Sequence, residues 1–267
     1  MSLFARELEV ARAVALEAAE LVRRYTGNSL AVDQKPGNEP VTEADRAANA
    51  LVVERLRAAF PADVILSEEL PDDGSRLGRP RVWMVDPIDG TREFINGSDE
   101  YAVMIGLSVE GQPRVGVVSQ PPTRRTYSGV VGHGAWIDEA DGRRRPLRTS
   151  TLAGPPGIRL VASKSNRTSH IDVVKQALGI TDEMNIGSVG LKMGLVAEAV
   201  RDVYIYPGAK TKLWDTCGPQ AILDAAGGRV TDVTGRPLVY DSPDLANARG
   251  ILASNGPLHD LCTSTLM

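Results

Sequence analysis

The residue types best suited to chemistry are Asp86 and Asp89, in the run Val85-Asp86-Pro87-Ile88-Asp89-Gly90-Thr91. Two carboxylates there lie between an apolar stretch and a Gly-Thr turn. Residues 81–85, Arg-Val-Trp-Met-Val, are bounded by Pro80 and Pro87 and read as a short buried strand. Asp86 is expected at the strand's end and Asp89 on the turn beyond it. Gly90 permits close backbone approach, and Thr91 opens a helix. Hard oxygen ligands beside a helix N-terminus suit divalent cations and a phosphate together. The chemistry that follows is metal-assisted attack of water on a phosphate ester.

Other acids are placed to join this pair. Asp45 falls in the first turn of a helix that begins near Thr42, in a near capping-box arrangement, and ends near Phe60 before Pro61. Glu68 and Glu69 follow a short strand at 63–66. Asp215 follows Trp214 and opens a helix over 215–226, aiming a helix N-terminus at whatever Asp215 faces. Taken singly, each has a plain structural role as a cap, a turn residue or solvated surface. Taken together, clustered carboxylates repel one another and resist ionisation unless cations are bound.

The elements that must hold these groups alternate in type. A helix is expected at 3–25, then a loop with Pro36, Gly37 and Pro40. Strands are expected at 101–109, 114–119 and 126–131, and then at 158–162, 185–186 and 203–206. Further helices are expected at 169–178, 188–200 and 257–266. The basic stretch 141–146 reads as a hairpin loop or a link between halves. The mixture predicts layered helices and sheets. It divides into an N-terminal half, 1–150, with most of the acids, and a C-terminal half, 151–267, with Asp215.

With 267 residues the chain can bury a large core, and a net charge of −4 argues against nucleic-acid polymers. Two cysteines, Cys217 and Cys262, are too few for a disulfide scaffold and predict a reducing, cytoplasmic setting. The opening MSLFARELEV has acids and no apolar core, so it does not read as a secretory leader, and no stretch reaches the length of a membrane span. His133, His170 and His259 lack zinc-ligand spacing, and there is no P-loop.

Ser67-Glu68-Glu69, Asp86-Pro87-Ile88-Asp89-Gly90-Thr91 and Trp214-Asp215 together resemble the inositol monophosphatase superfamily of magnesium-dependent, lithium-sensitive phosphatases. The likeness extends from Thr42-Glu43-Ala44-Asp45 to Gly227-Gly228. It implies an α/β fold of the αβαβα sandwich type. It also implies two or three Mg²⁺ ions held by Glu68, Asp86, Asp89, Asp215 and the Ile88 carbonyl. Glu68 and Thr91 would help activate water, Asp45 would support Thr91 or the metal-bound waters, and the Gly90 and Thr91 backbone would bind the phosphate.

Within the superfamily, Arg92-Glu93-Phe94 resembles the 3′(2′),5′-bisphosphate nucleotidases of the CysQ type. So do three further segments: Ser163-Lys164-Ser165-Asn166, Gly187-Ser188-Val189-Gly190-Leu191-Lys192, and the run from Pro207 to Cys217. Lys164 and Asn166 depart from the Arg and His usual there. The resemblance implies hydrolysis of the 3′-phosphate of 3′-phosphoadenosine 5′-phosphate. Ser163, Lys164, Ser165, Ser188, Lys192, Lys210 and Lys212 would contact the substrate. An inositol or sugar monophosphate is the alternative substrate. A non-catalytic regulator of the same fold is the alternative of another class. The expected partner is a small phosphate ester, with no membrane, and a homodimer is left open.

Overall fold

The structure, a computed structural model, describes residues 3–27, 32–35 and 39–266. The chain opens with α1 (Ala5–Arg23), β1 (Val32–Lys35), β2 (Glu39–Thr42) and α2 (Glu43–Ala59). There follow β3 (Val64–Ser67), β4 (Arg81–Asp89), α3 (Thr91–Ile95), β5 (Ala102–Val109), β6 (Gln112–Gln120) and β7 (Arg125–Val130). Next come β8 (Gly134–Asp138), β9 (Arg144–Leu147), β10 (Arg159–Ser163), α4 (His170–Leu178) and β11 (Asp182–Ile186). The rest is α5 (Val189–Ala197), β12 (Val203–Tyr206), α6 (Leu213–Ala225), β13 (Arg229–Thr231), β14 (Ile251–Ser254) and α7 (His259–Leu266).

Five layers stack. Strands β3 to β9 form a seven-stranded sheet in sequence order, with β3 and β4 parallel and the other pairs antiparallel. Strands β11-β10-β12-β14-β13 form the second sheet. Helices α1 and α2 cover the outer face of the first sheet. In α1 the residues Ala11, Val14, Ala15, Ala18, Ala19 and Val22 make one buried stripe, which packs with Trp83, Val85, Val103 and Ile105. Helices α5 and α6 fill the space between the sheets, against Met84 and Met104 on one side and Val161, Tyr204 and Ala253 on the other. Helices α4 and α7 close the far face over Leu160, Ile205 and Leu252. Strand β4 is apolar from Val82 to Val85 because both its faces are covered there. This is the α/β sandwich expected from the sequence.

Helix α6 lies directly on the first sheet through three glycines. A Cβ added to Gly116 would stand 2.0 Å from the Gly218 carbonyl oxygen, and one added to Gly106 would stand 2.5 Å from the Gly218 nitrogen. Backbone therefore meets backbone, and the start of α6, with Asp215, is set close to the end of β4.

Several expectations are corrected. The loop after α1 contains a two-stranded ribbon, β1 with β2, and Pro40 sits within it opposite Gln34. Proline is tolerated there because a two-stranded ribbon is all edge. Of that loop, Pro36 and Gly37 lie outside the described residues. The 141–146 stretch is a hairpin loop, one of the two readings given for it, but it also enters an unexpected strand, β9, paired with β8. Strands β8, β13 and β14 were not expected, and α5 ends earlier than predicted, at Ala197. Helix α6 begins at Leu213, so Asp215 is its third residue rather than its first. Strand β4 continues through Asp86 to Asp89, so neither aspartate lies beyond it.

Candidate active site

The continuation of β4 decides how the two aspartates are aimed. In a regular strand, residues three apart face opposite sides. Here Asp86 pairs with Met104 and Asp89 with Ala102, so β4 has one residue more than β5 between them and bulges. Pro87, which has no N–H to give the ladder, lies in the bulge. The extra residue restores the phase, and both aspartates turn to the α5–α6 side. Asp86 Oδ1 accepts the Ile88 N–H at 3.0 Å, which folds the bulge onto its own side chain. Gly90 then takes φ 98°, and a Cβ there would press to 3.0 Å on the Glu100 carbonyl.

Neighbouring elements bring the other acids in. The parallel register of β3 with β4 pairs Ser67 with Val85, and the Glu68 N–H donates to the Val85 carbonyl at 3.1 Å. Glu68 therefore emerges beside Asp86. Ser67 Oγ donates to Asn49 Oδ1 of α2 at 2.6 Å and ties that corner down. Asp215 reaches back from the first turn of α6 to the Lys212 N–H at 2.8 Å. This is half a capping box, since a lysine side chain has no acceptor for the other half.

Asp45 sits behind this group rather than in the open cleft. Its Oδ2 accepts from Thr42 N–H at 2.8 Å and Thr42 Oγ1 at 2.6 Å, completing the cap of α2. Its Oδ1 faces Thr91 Oγ1 at 3.1 Å, and the Ile88 carbonyl is also 3.1 Å from that hydroxyl.

A cleft of about 290 Å³ opens over these groups, lined by Glu68, Asp86, Ile88, Asp89, Gly90, Thr91 and Asp215. Ser163, Ser165, Ser188, Lys192, Lys210 and Lys212 line it as well. Lys164 does not line the cleft; its ammonium lies 3.3 Å from Glu100 and its side chain is 55% exposed. Glu93 and Asn166, which the sequence motifs contain without a role assigned to either, also line the cleft, as do Tyr204 and Tyr206, which the sequence did not single out. Glu93 accepts from Ser165 Oγ at 2.8 Å, and Asn166 Oδ1 accepts from Lys210 Nζ at 3.1 Å. The two tyrosines had a readable signal: they alternate on one face of β12, just before Pro207-Gly208.

The electrostatics are those of crowded, buried carboxylates. Burial first, and then the charges of Glu68, Asp89 and Asp215, push the Asp86 carboxyl well above the usual carboxylate range. Burial also raises Asp89, while Lys192, Ser188 and the Gly190 N–H oppose it. Burial lowers Lys192 to about 8, against the pull of Asp89, Glu93, Glu100 and Asp215. Among the described residues no three His, Cys, Asp or Glu side chains stand so that, as placed, they could together hold a metal ion. The acids do face one another, closely enough for Glu68 to hydrogen-bond Asp86. An all-oxygen, anionic donor set lining an open cleft fits a hard divalent cation, whose charge would remove the penalty on ionising Asp86.

A single family description accounts for this arrangement. The inositol monophosphatase family model matches residues 5–266. The chain belongs to the inositol monophosphatase family. It is a phosphoric monoester hydrolase of the CysQ-like branch. It is 38% identical over 222 residues to the 3′(2′),5′-bisphosphate nucleotidase CysQ of Escherichia coli K12, covering 82% of this chain and 87% of that protein. It is 34% identical over 258 residues to histidinol-phosphatase of Mycobacterium tuberculosis, covering 95% of each. The solved structure of CysQ from Bacteroides thetaiotaomicron superposes with a TM-score of 0.79 at 29% identity, covering 94% of this chain and 98% of that one. Among the described residues no helix is long and apolar enough to cross a membrane.

Proposed function

We propose that this phosphatase is Mg²⁺-dependent and removes the 3′-phosphate of 3′-phosphoadenosine 5′-phosphate. The observation that carries this reading is that one cleft is lined by both kinds of charge, the carboxylates of Glu68, Asp86, Asp89 and Asp215 and the lysines Lys192, Lys210 and Lys212. A bisphosphorylated nucleotide brings one phosphate for cations held by the carboxylates and a second for the lysines. The half 1–150 supplies most of the acids, and the half 151–267 supplies Asp215 and the lysines.

Glu68, Asp86, Asp89, Asp215 and the Ile88 carbonyl would hold the Mg²⁺. Bound there, the ion would supply charge stabilisation and a more acidic water. The protein's own groups do the rest. With its proton turned to Asp45 Oδ1, Thr91 Oγ1 presents a lone pair to a water in the cleft. A proton leaving that water passes to Thr91 Oγ1 as the threonine's own proton moves onto Asp45, or it passes directly to Glu68. The Gly90 and Thr91 N–H groups, at the start of α3, donate to the phosphate oxygens as charge develops. Ser163 and Ser165 line the wall that the nucleoside would meet.

A second reading has a specific observation in its favour. The histidinol-phosphatase of M. tuberculosis matches almost end to end, and Glu93 places a carboxylate among the lysines, where an amino-alcohol phosphate would bring a cation. The test is a phosphate-release screen in Mg²⁺ with 3′-phosphoadenosine 5′-phosphate, histidinol phosphate, inositol 1-phosphate and fructose 1,6-bisphosphate. The nucleotide is expected to give the highest kcat/KM. A clear preference for any of the others replaces the first reading.

A further inference from the structure

We propose that Ser188 is a positioning residue for Asp89, and through it for the divalent cation, rather than a substrate contact; the proposal rests on the metal reading of Asp89. Ser188 Oγ donates to Asp89 Oδ2 at 2.5 Å, and the Gly190 N–H donates to the same oxygen at 2.9 Å. Ser188 Oγ also accepts the Leu191 N–H at 3.1 Å, as the N-cap of α5. A serine hydroxyl has one proton. That proton is given to Asp89, one lone pair is given to the helix, and the residue is 5% exposed. Little of it is left for a nucleotide. Two donors on Oδ2 fix the plane of the carboxylate and leave Oδ1 as the oxygen to meet a cation.

The backbone supports the same conclusion independently. Ser188 has φ 55° and ψ 126°, a positive φ that residues with a side chain rarely adopt. Glycine, without a Cβ, meets less steric opposition at a positive φ. What serine adds at this position is the hydroxyl, and the hydroxyl is spent on Asp89 and the cap. Outer partners that orient a ligand's second oxygen typically change metal affinity by about 10- to 100-fold when removed.

The test is Mn²⁺ binding followed by electron paramagnetic resonance, with no substrate present, on wild type, Ser188→Ala and Ser188→Gly. Ser188→Gly removes the Cβ that opposes the positive φ, and circular dichroism checks the fold of both variants. Both variants are expected to bind Mn²⁺ about tenfold more weakly or worse. At saturating metal, KM for 3′-phosphoadenosine 5′-phosphate is expected to stay within about twofold of wild type, as for a group that makes no ground-state contact. Wild-type Mn²⁺ affinity in Ser188→Gly overturns the proposal. So does a raised KM with unchanged metal affinity, which makes Ser188 a substrate contact. A wild type that binds no Mn²⁺ refutes the metal reading itself, before any variant is compared.

Discussion

Thr91 Oγ1 and Asp45 Oδ1 meet at 3.1 Å across 46 residues of sequence, joining the first turn of α3 to the first turn of α2. The other oxygen of Asp45 is held by Thr42. One carboxylate thus caps a helix and backs a hydroxyl that faces the cleft. Stability and chemistry meet on different oxygens of the same side chain, so they can be separated by substitution.

Thr91→Ala deletes the hydroxyl and leaves the cap of α2 intact. Turnover should fall by about 10²-fold or more, as for a group in proton transfer, with little change in melting temperature. Asp45→Asn is the sharper variant. An amide has one oxygen, and the two Thr42 donors claim it. Its NH₂ then faces Thr91, whose proton must turn to the Ile88 carbonyl. Stability should drop by about 0.3–1 kcal/mol, as a negative charge is lost from the first turn of α2, while turnover falls nearly as far as in Thr91→Ala. A change confined to KM in either variant would make Thr91 a binding residue.

Gly116→Ala tests the seat of α6. The new methyl would stand 2.0 Å from a backbone carbonyl, which has no rotamer with which to move aside. Urea denaturation should show a loss of about 3 kcal/mol or more, at the upper end of overpacking costs. Gly154→Ala is the control, since a Cβ there meets nothing within 4 Å. Equal stability for the two variants would mean that α6 does not rest on the sheet in this way.

His259 gives a pH signature. It is fully buried between Ser254 Oγ at Nδ1 and Thr231 Oγ1 at Nε2, both at 2.9 Å. Burial, with Arg229 adding to it, lowers it to about 4. An unfolded chain protonates its histidine near 6.5. The stabilisation is therefore fully present above about pH 6.5 and is lost as pH falls towards about 4. Asp224, raised by burial to about 7, acts with the opposite sign over the same range. The measurement is therefore the difference in stability between wild type and His259→Gln, in which Asp224 cancels. That margin should shrink by up to about 3 kcal/mol between about pH 7 and about pH 4. A constant margin contradicts the assignment.

Lys192→Ala and Lys212→Ala test how the distal phosphate is read. The scissile phosphate is handled alike in a nucleotide and in inositol 1-phosphate, so its contribution cancels in the ratio of kcat/KM values. A charged hydrogen bond to the distal phosphate is worth about 1.5–3 kcal/mol. The ratio should move roughly tenfold to a hundredfold against the nucleotide. Equal losses on both substrates would remove these lysines from nucleotide recognition.

The sequence carried much of this site. The stretch from Asp86 to Thr91, the Thr42–Asp45 cap, the existence of α1 and the layered class were legible because each depends on local spacing or composition. The bulge was not. Alternation alone puts Asp86 and Asp89 on opposite faces, and the extra residue that reconciles them is visible only against β5. Strand β9 was hidden because Arg144-Arg145-Pro146-Leu147 forms a sheet edge, with one buried residue and no apolar alternation. The glycine seat under α6 needed Gly106, Gly116 and Gly218 to be brought together from distant segments. The hydrogen bond from Ser188 to Asp89 was hidden because a motif gives a residue's position and not its partner.

The most direct test of the central claim is to follow 3′-phosphoadenosine 5′-phosphate by phosphorus nuclear magnetic resonance with EDTA-stripped protein, before and after Mg²⁺ is added. The account predicts no turnover in EDTA. On adding Mg²⁺ the 3′-phosphate resonance should give way to inorganic phosphate while the 5′-phosphate persists. Turnover undiminished in EDTA, or no loss of the 3′-phosphate in Mg²⁺, would contradict it.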